Sequence, residues 1–270
     1  MSELGLDTAQ KTHLRDAMLA AGRIILDIRD KGAGHDIKVD GSPVTEADRR
    51  AEAILLAALH SAAPAIPVIA EEEAAAGNLA AVGRDFFLVD PLDGTKEFIR
   101  GGDDFTVNIG LVHDGKPVFG MIYTPASGRF HEGESGHGAW MADIDCRSQI
   151  LFGNTEKTAI HVRRPGPDHL VAVASRSHRS EATNTWLNDH GISETVAAGS
   201  SLKFCLLAEG KADVYPRHGP TMEWDTAAGH AILAAAGGRI ENLDATPLLY
   251  GKRDQARPFL NPGFIAWGGA

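Results

Sequence analysis

Two stretches near the start of the chain carry apolar residues at helical spacing. The first runs from Leu14 to Ile28, with apolar residues three and four positions apart, and ends near Gly32. The second begins at Thr45-Glu-Ala-Asp48 and stays apolar on one side as far as Leu59. Thr45 and Asp48 have the spacing of a capping box, in which two side chains bond the backbone at a helix start. The pattern predicts two helices that pack on a core.

Shorter apolar runs bounded by turn residues predict strands in the first half. They lie at 66–70, 86–89, 105–111 and 117–123, with further strands within 128–142. His113-Asp-Gly-Lys116 separates two of these runs and predicts a hairpin turn. The mixed polar segment 143–157 is where the chain is expected to cross into a second half.

The second half alternates between the two kinds of pattern. Strands are predicted at 170–174, 212–215 and 264–267, and helices at 180–190, 202–208 and 224–236. This order favours an α/β or layered α+β fold in two halves, residues 1–150 and 151–270.

Composition narrows the class of protein. A chain of 270 residues with 43% hydrophobic and 23% charged residues can bury a sizeable core. The net charge of −10 argues against non-specific binding of nucleic acid or of an anionic membrane surface. An anionic substrate would therefore need local cations.

Cysteine usage and apolar runs bear on the compartment. The two cysteines, Cys146 and Cys205, form neither a disulfide framework nor a zinc spacing, which makes a reducing cytoplasm the default expectation. The first residues lack the pattern of a signal peptide. The longest apolar stretch, 54–70, is interrupted by His60, Ser61 and two prolines, so no integral membrane segment is expected.

The most informative stretch is Asp90-Pro-Leu-Asp-Gly-Thr95, which directly follows the predicted strand 86–89. It places two carboxylates, a backbone carbonyl and the amides of Gly94 and Thr95 at the end of one strand. Such a group suits a hard cation together with an anion. On these residues alone, an acidic turn with an Asp cap is equally consistent.

Three further carboxylates can complete a site. Glu71 follows the strand 66–70, so it meets Asp90 at one sheet edge if the two strands are neighbours. Asp225 lies at the start of the predicted helix 224–236, and Asp48 at the start of the second helix. Taken singly, Asp225 and Asp48 are ordinary helix-start residues.

Together these segments resemble a known family. Ala70-Glu-Glu72, Asp90-Pro-Leu-Asp-Gly-Thr95 and Trp224-Asp-Thr-Ala-Ala-Gly229 have the order and spacing of the inositol monophosphatase superfamily, over residues 8–270. Segments 40–48, 174–178, 199–205 and 215–220 resemble its CysQ-type bisphosphate nucleotidase branch. The resemblance implies an α+β fold, a five-layer αβαβα sandwich of the inositol monophosphatase/sugar phosphatase type, with the site where two halves meet.

The resemblance also implies roles for individual residues. Glu71, Asp90 and the Leu92 carbonyl would hold one Mg²⁺, and Asp90, Asp93 and Asp225 a second, with Glu71 sharing a weaker third ion. Asp48 and Thr95 would activate the attacking water, with Glu71 as a further catalytic residue. The substrate would contact the amides of Gly94 and Thr95, and the side chains of His178, Ser201, Lys203, Arg217 and Asp225.

The implied activity is a Mg²⁺-dependent phosphomonoesterase. It would remove the 3'-phosphate of adenosine 3',5'-bisphosphate, giving AMP and phosphate, in support of sulfate assimilation. Two or three Mg²⁺ ions are expected, with Mn²⁺ as a substitute and Li⁺ and Ca²⁺ as inhibitors. The alternatives are an inositol or sugar-phosphate monophosphatase and a non-catalytic phosphonucleotide-binding module.

Partners and location follow by the same resemblance. The substrate would be a small molecule, the protein a possible homodimer, and the compartment the cytoplasm, with a loose association with the inner membrane as an option. The residues independently support the metal: oxygen ligands without a cysteine or histidine cluster favour Mg²⁺, Mn²⁺ or Ca²⁺ over zinc.

Overall fold

The computed structural model describes residues 5–32, 34–38, 41, 43–148, 152, 155–164, 166, 169–175 and 180–269. In chain order the elements are α1 (Thr8–Asp30), β1 (His35–Ile37), β2 (Pro43–Thr45), α2 (Glu46–Ala62), β3 (Val68–Ala70), α3 (Glu71–Ala75), β4 (Asp85–Asp93), α4 (Thr95–Ile99), β5 (Thr106–His113), β6 (Lys116–Thr124), β7 (Arg129–Glu134), β8 (Gly138–Asp143), β9 (Thr158–Ile160), β10 (Val171–Ser175), α5 (Glu181–Asp189), β11 (Glu194–Ala198), α6 (Leu202–Ala208), β12 (Val214–Arg217), β13 (Thr221–Met222), α7 (Ala227–Ala235), β14 (Arg239–Asn242), β15 (Leu260–Asn261) and β16 (Phe264–Trp267).

Two sheets form the frame of the fold. The larger has seven strands in the order β3-β4-β5-β6-β7-β8-β9, and the smaller has five in the order β11-β10-β12-β16-β14. In the larger sheet only β3 and β4 run parallel, while the following strands are antiparallel neighbours in sequence. The short strands β1 and β2 form a separate hairpin ahead of α2.

The helices lie in three layers around these sheets. The apolar faces of α1 and α2 pack in one core with the inward side chains of β4, β5 and β6. A second core joins the other face of that sheet to α6, α7 and the five-stranded sheet. Leu187 of α5 packs with Ala172 and Val214 on the outer face of the smaller sheet. The order of layers is therefore α, β, α, β, α, which confirms the predicted sandwich.

Glycines allow the middle helical layer to approach the larger sheet closely. A Cβ atom added at Gly120 would lie 2.3 Å from the Ala228 carbonyl oxygen, and one added at Gly133 would lie 2.6 Å from the Ile232 Cα. Such distances leave no room for any side chain, so the glycines of the central strands fix how deeply α7 sits.

Several element boundaries differ from those predicted. The predicted helix 224–236 begins only at Ala227, with Thr226 as its N-cap residue. Asp225 precedes the helix because its carboxylate turns back to accept bonds from the amide of Met222 and the hydroxyl of Thr221. The strand predicted at 212–215 is shifted to Val214–Arg217, where it pairs with β16.

The predicted division near residue 150 falls beside residues outside the described part of the chain. Strand β9 follows that point and still belongs to the seven-stranded sheet. None of the helices in the described ranges is long and apolar enough to span a lipid bilayer.

Candidate active site

Adjacent parallel strands bring the first two carboxylates together. Val68 to Ala70 of β3 pair in register with Phe87 to Val89 of β4, so both strands end at the same sheet edge. Glu71 and Asp90 directly follow those pairs, so the condition under which the two acids were expected to meet is fulfilled. The pairing of β4 with β5 shifts register between Asp90 and Asp93, and the Leu92 amide donates to Asp90 Oδ1 at 3.0 Å.

The turn ahead of α7 provides a third carboxylate, that of Asp225. Carboxylate oxygens of Glu71, Asp90 and Asp225 all lie within 4.8 Å of one another. Asp225 is held by Thr221 Oγ1, at 2.5 Å, and by the Met222 amide, at 2.8 Å, both to its Oδ2. Three acids from three separate chain segments therefore converge on one point.

Burial and mutual repulsion make these acids hard to ionise. Burial raises the pKa of Glu71 to about 8, although the Lys38 ammonium opposes the shift. Burial, and then the charge of Asp93, raise the pKa of Asp225 to about 6. For Asp90, burial followed by the charges of Glu71 and Asp93 raises the pKa well above its usual range.

This arrangement fits a divalent cation. All the donors are carboxylate oxygens, the ligands that hard cations prefer. A bound cation would favour the ionised form of the three acids and so offset the burial and repulsion that raise their pKa values. Glu71, Asp90 and Asp225 are therefore the residues that would hold the metal, and Leu92 and Asp93 line the same cleft.

Asp93 stands beside this cluster and is engaged by two serines. Its Oδ2 accepts a hydrogen bond from Ser200 Oγ at 2.7 Å and one from Ser201 Oγ at 2.9 Å. The Asp225 carbonyl oxygen lies 2.8 Å from the same Ser201 Oγ, so Asp93 and this carbonyl share the single hydroxyl proton of Ser201, which is buried. The predicted substrate residue Ser201 thus lies beneath the cleft, while Ser200 lines it.

The predicted pair of Asp48 and Thr95 meets across two elements. Thr95 Oγ1 lies 3.1 Å from Asp48 Oδ1 and 3.1 Å from the Leu92 carbonyl oxygen. Asp48 Oδ2 accepts bonds from the amide and the hydroxyl of Thr45, both at 2.7 Å. Burial raises the pKa of Asp48, and the hydrogen bonds from Thr45 oppose that shift.

The acids open onto a cleft with a volume of about 200 Å³. Gly94 adopts a φ of 95° there, and a Cβ atom at this position would lie 2.7 Å from the Asp104 carbonyl oxygen. Only glycine fits both constraints. The amides of Gly94 and Thr95 stand at the start of α4, where backbone amides have no partner within the helix.

Cationic side chains also line the cleft. Lys203 is buried, donates from Nζ to the Ser200 carbonyl and lies with Nζ 5.4 Å from the centre of the Tyr215 ring. Arg217 also lines the cleft, and it donates to the carbonyls of Gly219 and Pro220. His178, predicted as a substrate contact, lies outside the described residues.

Sequence reasoning missed two residues that hold the acids in place. Lys38 Nζ lies 2.6 Å from carboxylate oxygens of both Glu71 and Glu72. Glu52, one turn after Asp48 on α2, accepts the backbone amides of Glu72 and Glu73 at 2.8 and 3.0 Å. Lys38 could have been noticed as the cation preceding the polar 40–48 segment, whereas Glu52 gives no local signal.

Comparisons with known proteins agree with this geometry. The model of the inositol monophosphatase family matches residues 8–258. The 3'(2'),5'-bisphosphate nucleotidase CysQ of Escherichia coli O157:H7 is 42% identical over 246 residues, which cover 90% of this chain and 94% of CysQ. The crystal structure of CysQ from Bacteroides thetaiotaomicron has a TM-score of 0.78 at 38% identity, covering 98% of this chain and 100% of that one. Inositol monophosphatase from Anabaena has a TM-score of 0.71 at 25% identity, covering 97% and 92% of the two chains.

Proposed function

The chain belongs to the inositol monophosphatase family, and from that premise we propose that it is a Mg²⁺-dependent 3'(2'),5'-bisphosphate nucleotidase. It removes the 3'-phosphate of adenosine 3',5'-bisphosphate and releases AMP and phosphate. The observation that carries the proposal is the cleft itself. The acid cluster, Thr95 with its partner Asp48, and the cations Lys203 and Arg217 all meet at this one cleft.

Thr95 and Asp48 are placed to take a proton from the attacking water. The hydroxyl of Thr95 has one proton, which it donates to Asp48 Oδ1 or to the Leu92 carbonyl. When it donates to Asp48, its lone pairs can accept a hydrogen bond from water. The proton can then pass from water to Thr95 Oγ1 while Asp48 Oδ1 receives the threonine proton. The raised pKa of Asp48 suits a base of this kind.

The acid cluster holds the metal on which this chemistry depends. Glu71, Asp90, Asp225 and the Leu92 carbonyl would bind Mg²⁺, with Asp93 completing a second position. A bound divalent cation lowers the pKa of water and stabilises the negative charge of the leaving oxygen. The amides of Gly94 and Thr95 orient the phosphate by donating hydrogen bonds to its oxygens.

The cations that line the cleft favour a substrate with a second anionic group. A net charge of −10 repels a bisphosphate at long range, so cations must face it locally. Lys203 and Arg217 line the same cleft as the acid cluster and supply that charge. Ser200, which lines the cleft where Ser201 does not, adds a polar contact. An inositol monophosphate has no second phosphate that could contact these cations.

The inositol monophosphatase reaction is the second candidate, because the same scaffold occurs in the Anabaena enzyme. A panel of substrates separates the two. We expect kcat/KM for adenosine 3',5'-bisphosphate to exceed that for inositol 1-phosphate by at least about tenfold, which corresponds to about 1.4 kcal/mol. Phosphate release should require Mg²⁺ and stop in EDTA, and Li⁺ and Ca²⁺ should inhibit it.

A charge-removing variant adds a residue-level check to the same panel. Lys203→Met keeps most of the side-chain volume, so it should raise KM for the bisphosphate and leave inositol 1-phosphate hydrolysis within twofold. Lys116→Met, on an exposed residue at the start of β6, is the control. Preference for inositol 1-phosphate, or equal losses on both substrates in Lys203→Met, would contradict the nucleotide assignment.

A further inference from the structure

We propose that Ser200 is a positioning residue that couples cation binding at Asp93 to anion binding beside Lys203. It sits between the two: its side chain contacts Asp93 and its carbonyl accepts from Lys203 Nζ. The inference rests on the proposed function, since it requires a cation at Asp93 and an anion in the cleft. It adds a residue and a linkage that the proposed function does not itself require.

The backbone of Ser200 is held in an unfavourable conformation. Its φ is 51°, in the left-handed region that non-glycine residues seldom adopt. The other described non-glycine residues with positive φ, Asp114, Ala245 and Phe259, do not line this cleft. Such a conformation is unfavourable for a residue with a side chain and persists only where surrounding contacts enforce it.

Hydrogen-bond directions identify those contacts. Because a carboxylate only accepts, the single hydroxyl proton of Ser200 is committed to Asp93 Oδ2. Thr106 Oγ1 lies 2.5 Å from Ser200 Oγ, so in that bond Thr106 must be the donor. A chain of hydroxyls therefore runs from Thr106 of β5 through Ser200 to Asp93 of β4.

A parallel chain holds the next residue. Asn108, two residues along β5, donates from Nδ2 to Ser201 Oγ at 3.0 Å, and Ser201 Oγ lies 2.9 Å from the same Asp93 oxygen. Gly199 is fixed as well, because its amide donates to Asp104 Oδ2 at 2.8 Å. Three consecutive residues of the 199–201 loop, in the second half of the chain, are thus hydrogen-bonded to residues of the first half.

The consequence is a linkage between two binding events. A cation on Asp93 fixes the orientation of its carboxylate, and that orientation fixes the Ser200 hydroxyl. The same residue presents its carbonyl to Lys203, so the ammonium is positioned at the same time. Ligands that each stabilise one arrangement of a shared element bind more tightly together than apart, typically by fivefold or more.

Calorimetric titration measures this linkage without relying on turnover. The coupling ratio is the Kd for Mg²⁺ without AMP divided by the Kd with saturating AMP. We expect Thr106→Val and Ser200→Gly to lower this ratio about fivefold relative to the wild type. Thr106→Ser keeps the hydroxyl and should retain the wild-type ratio, which a purely packing role for Thr106 would not explain.

Thr124→Val is the matched control. Thr124 is also a buried strand threonine, and its hydroxyl has no hydrogen-bond partner in the described part of the chain. Wild-type ratios in both Thr106→Val and Ser200→Gly would overturn the inference. If AMP does not bind the wild type, inorganic phosphate is used as the anion. The coupling ratio is then compared between the wild type and the variants in the same way. Failure of the wild type to bind Mg²⁺ would refute the proposed function together with the linkage.

Discussion

At the residue scale, Asp48 shows how one carboxylate serves two purposes. Its Oδ2 caps the start of α2 through Thr45, and its Oδ1 meets Thr95 at the cleft. The capping interpretation is confirmed by the bonds from Thr45, and the contact with Thr95 is the one that the proposed catalytic role requires. The cap fixes the side chain, which leaves the second oxygen aimed at Thr95.

The Asp48–Thr95 pair should affect turnover far more than binding. Asp48→Asn and Thr95→Val should each lower kcat by about 10²-fold, the usual contribution of a positioned general base. The Kd for Mg²⁺ by calorimetry should change less than about threefold, since neither side chain belongs to the three-carboxylate cluster. Wild-type kcat in Asp48→Asn would remove this residue from the proton path.

At the element scale, the site depends on where three segments end. β3 and β4 are parallel and in register, so Glu71 and Asp90 share an edge. The turn ahead of α7 reaches the same edge because that helix lies directly on glycines of the central strands. Glu52 of α2 holds the start of α3 through two backbone amides, and burial raises its pKa to about 7.

Widening the gap between α7 and the sheet should damage the metal site. Gly120→Ala places a methyl group against the backbone of Ala228, and overpacking of this kind costs about 1–3 kcal/mol. We expect a lower Tm and a weaker Kd for Mg²⁺, because Asp225 precedes the displaced helix. Gly83→Ala is the control, since a Cβ atom there meets nothing within 4 Å. An unchanged Kd in Gly120→Ala would show that Asp225 is positioned independently of α7.

At the scale of the whole molecule, folding gathers acidic side chains whose ionised forms need positive charge nearby. The acids come from positions as far apart as 71 and 225, and the chain as a whole carries a charge of −10. Lys38 compensates part of this charge: burial alone would lower the pKa of its ammonium, but Glu71 and Glu72 outweigh that effect and raise it. Two further expectations at this scale, a homodimer and a division of the chain into halves near residue 150, stay predictions.

Stability without metal should fall as the pH rises. The folded pKa of Glu71 is raised to about 8 and that of Asp225 to about 6, above the unfolded values of about 4. The metal-free folded state therefore holds protons that the unfolded chain has released, and this stabilisation is lost between about pH 4 and pH 8.

The measurement is the increase in Tm when Mg²⁺ replaces EDTA, taken across that pH range. We expect the increase to be small at pH 5 and larger by at least about 2–4 °C at pH 8.5, equivalent to roughly 1 kcal/mol. Subtracting the Tm in EDTA from the Tm in Mg²⁺ at each pH removes the contribution of groups that titrate outside the metal site. An increase that is independent of pH would mean that the three acids are not the groups that bind the metal.

The sequence alone determined the layered α+β class, most elements and the acids that form the cluster. Apolar periodicity and strand-end carboxylates are local features, so Glu71, Asp90 and the capping pair Thr45–Asp48 could be recognised without a structure. The start of α7 was placed three residues too early, because Asp225 bonds backward to Thr221 and Met222 and not forward into the helix.

The tertiary structure decided what depends on contacts between distant segments. Only packing shows that Lys38 pairs with Glu71, that Glu52 holds the start of α3, and that Ser201 is buried while its neighbour Ser200 faces the cleft. These relations join residues 20 to over 100 positions apart. Periodicity reports only which face of an element is buried, and the partner on that face is chosen when the sheets and helices come together.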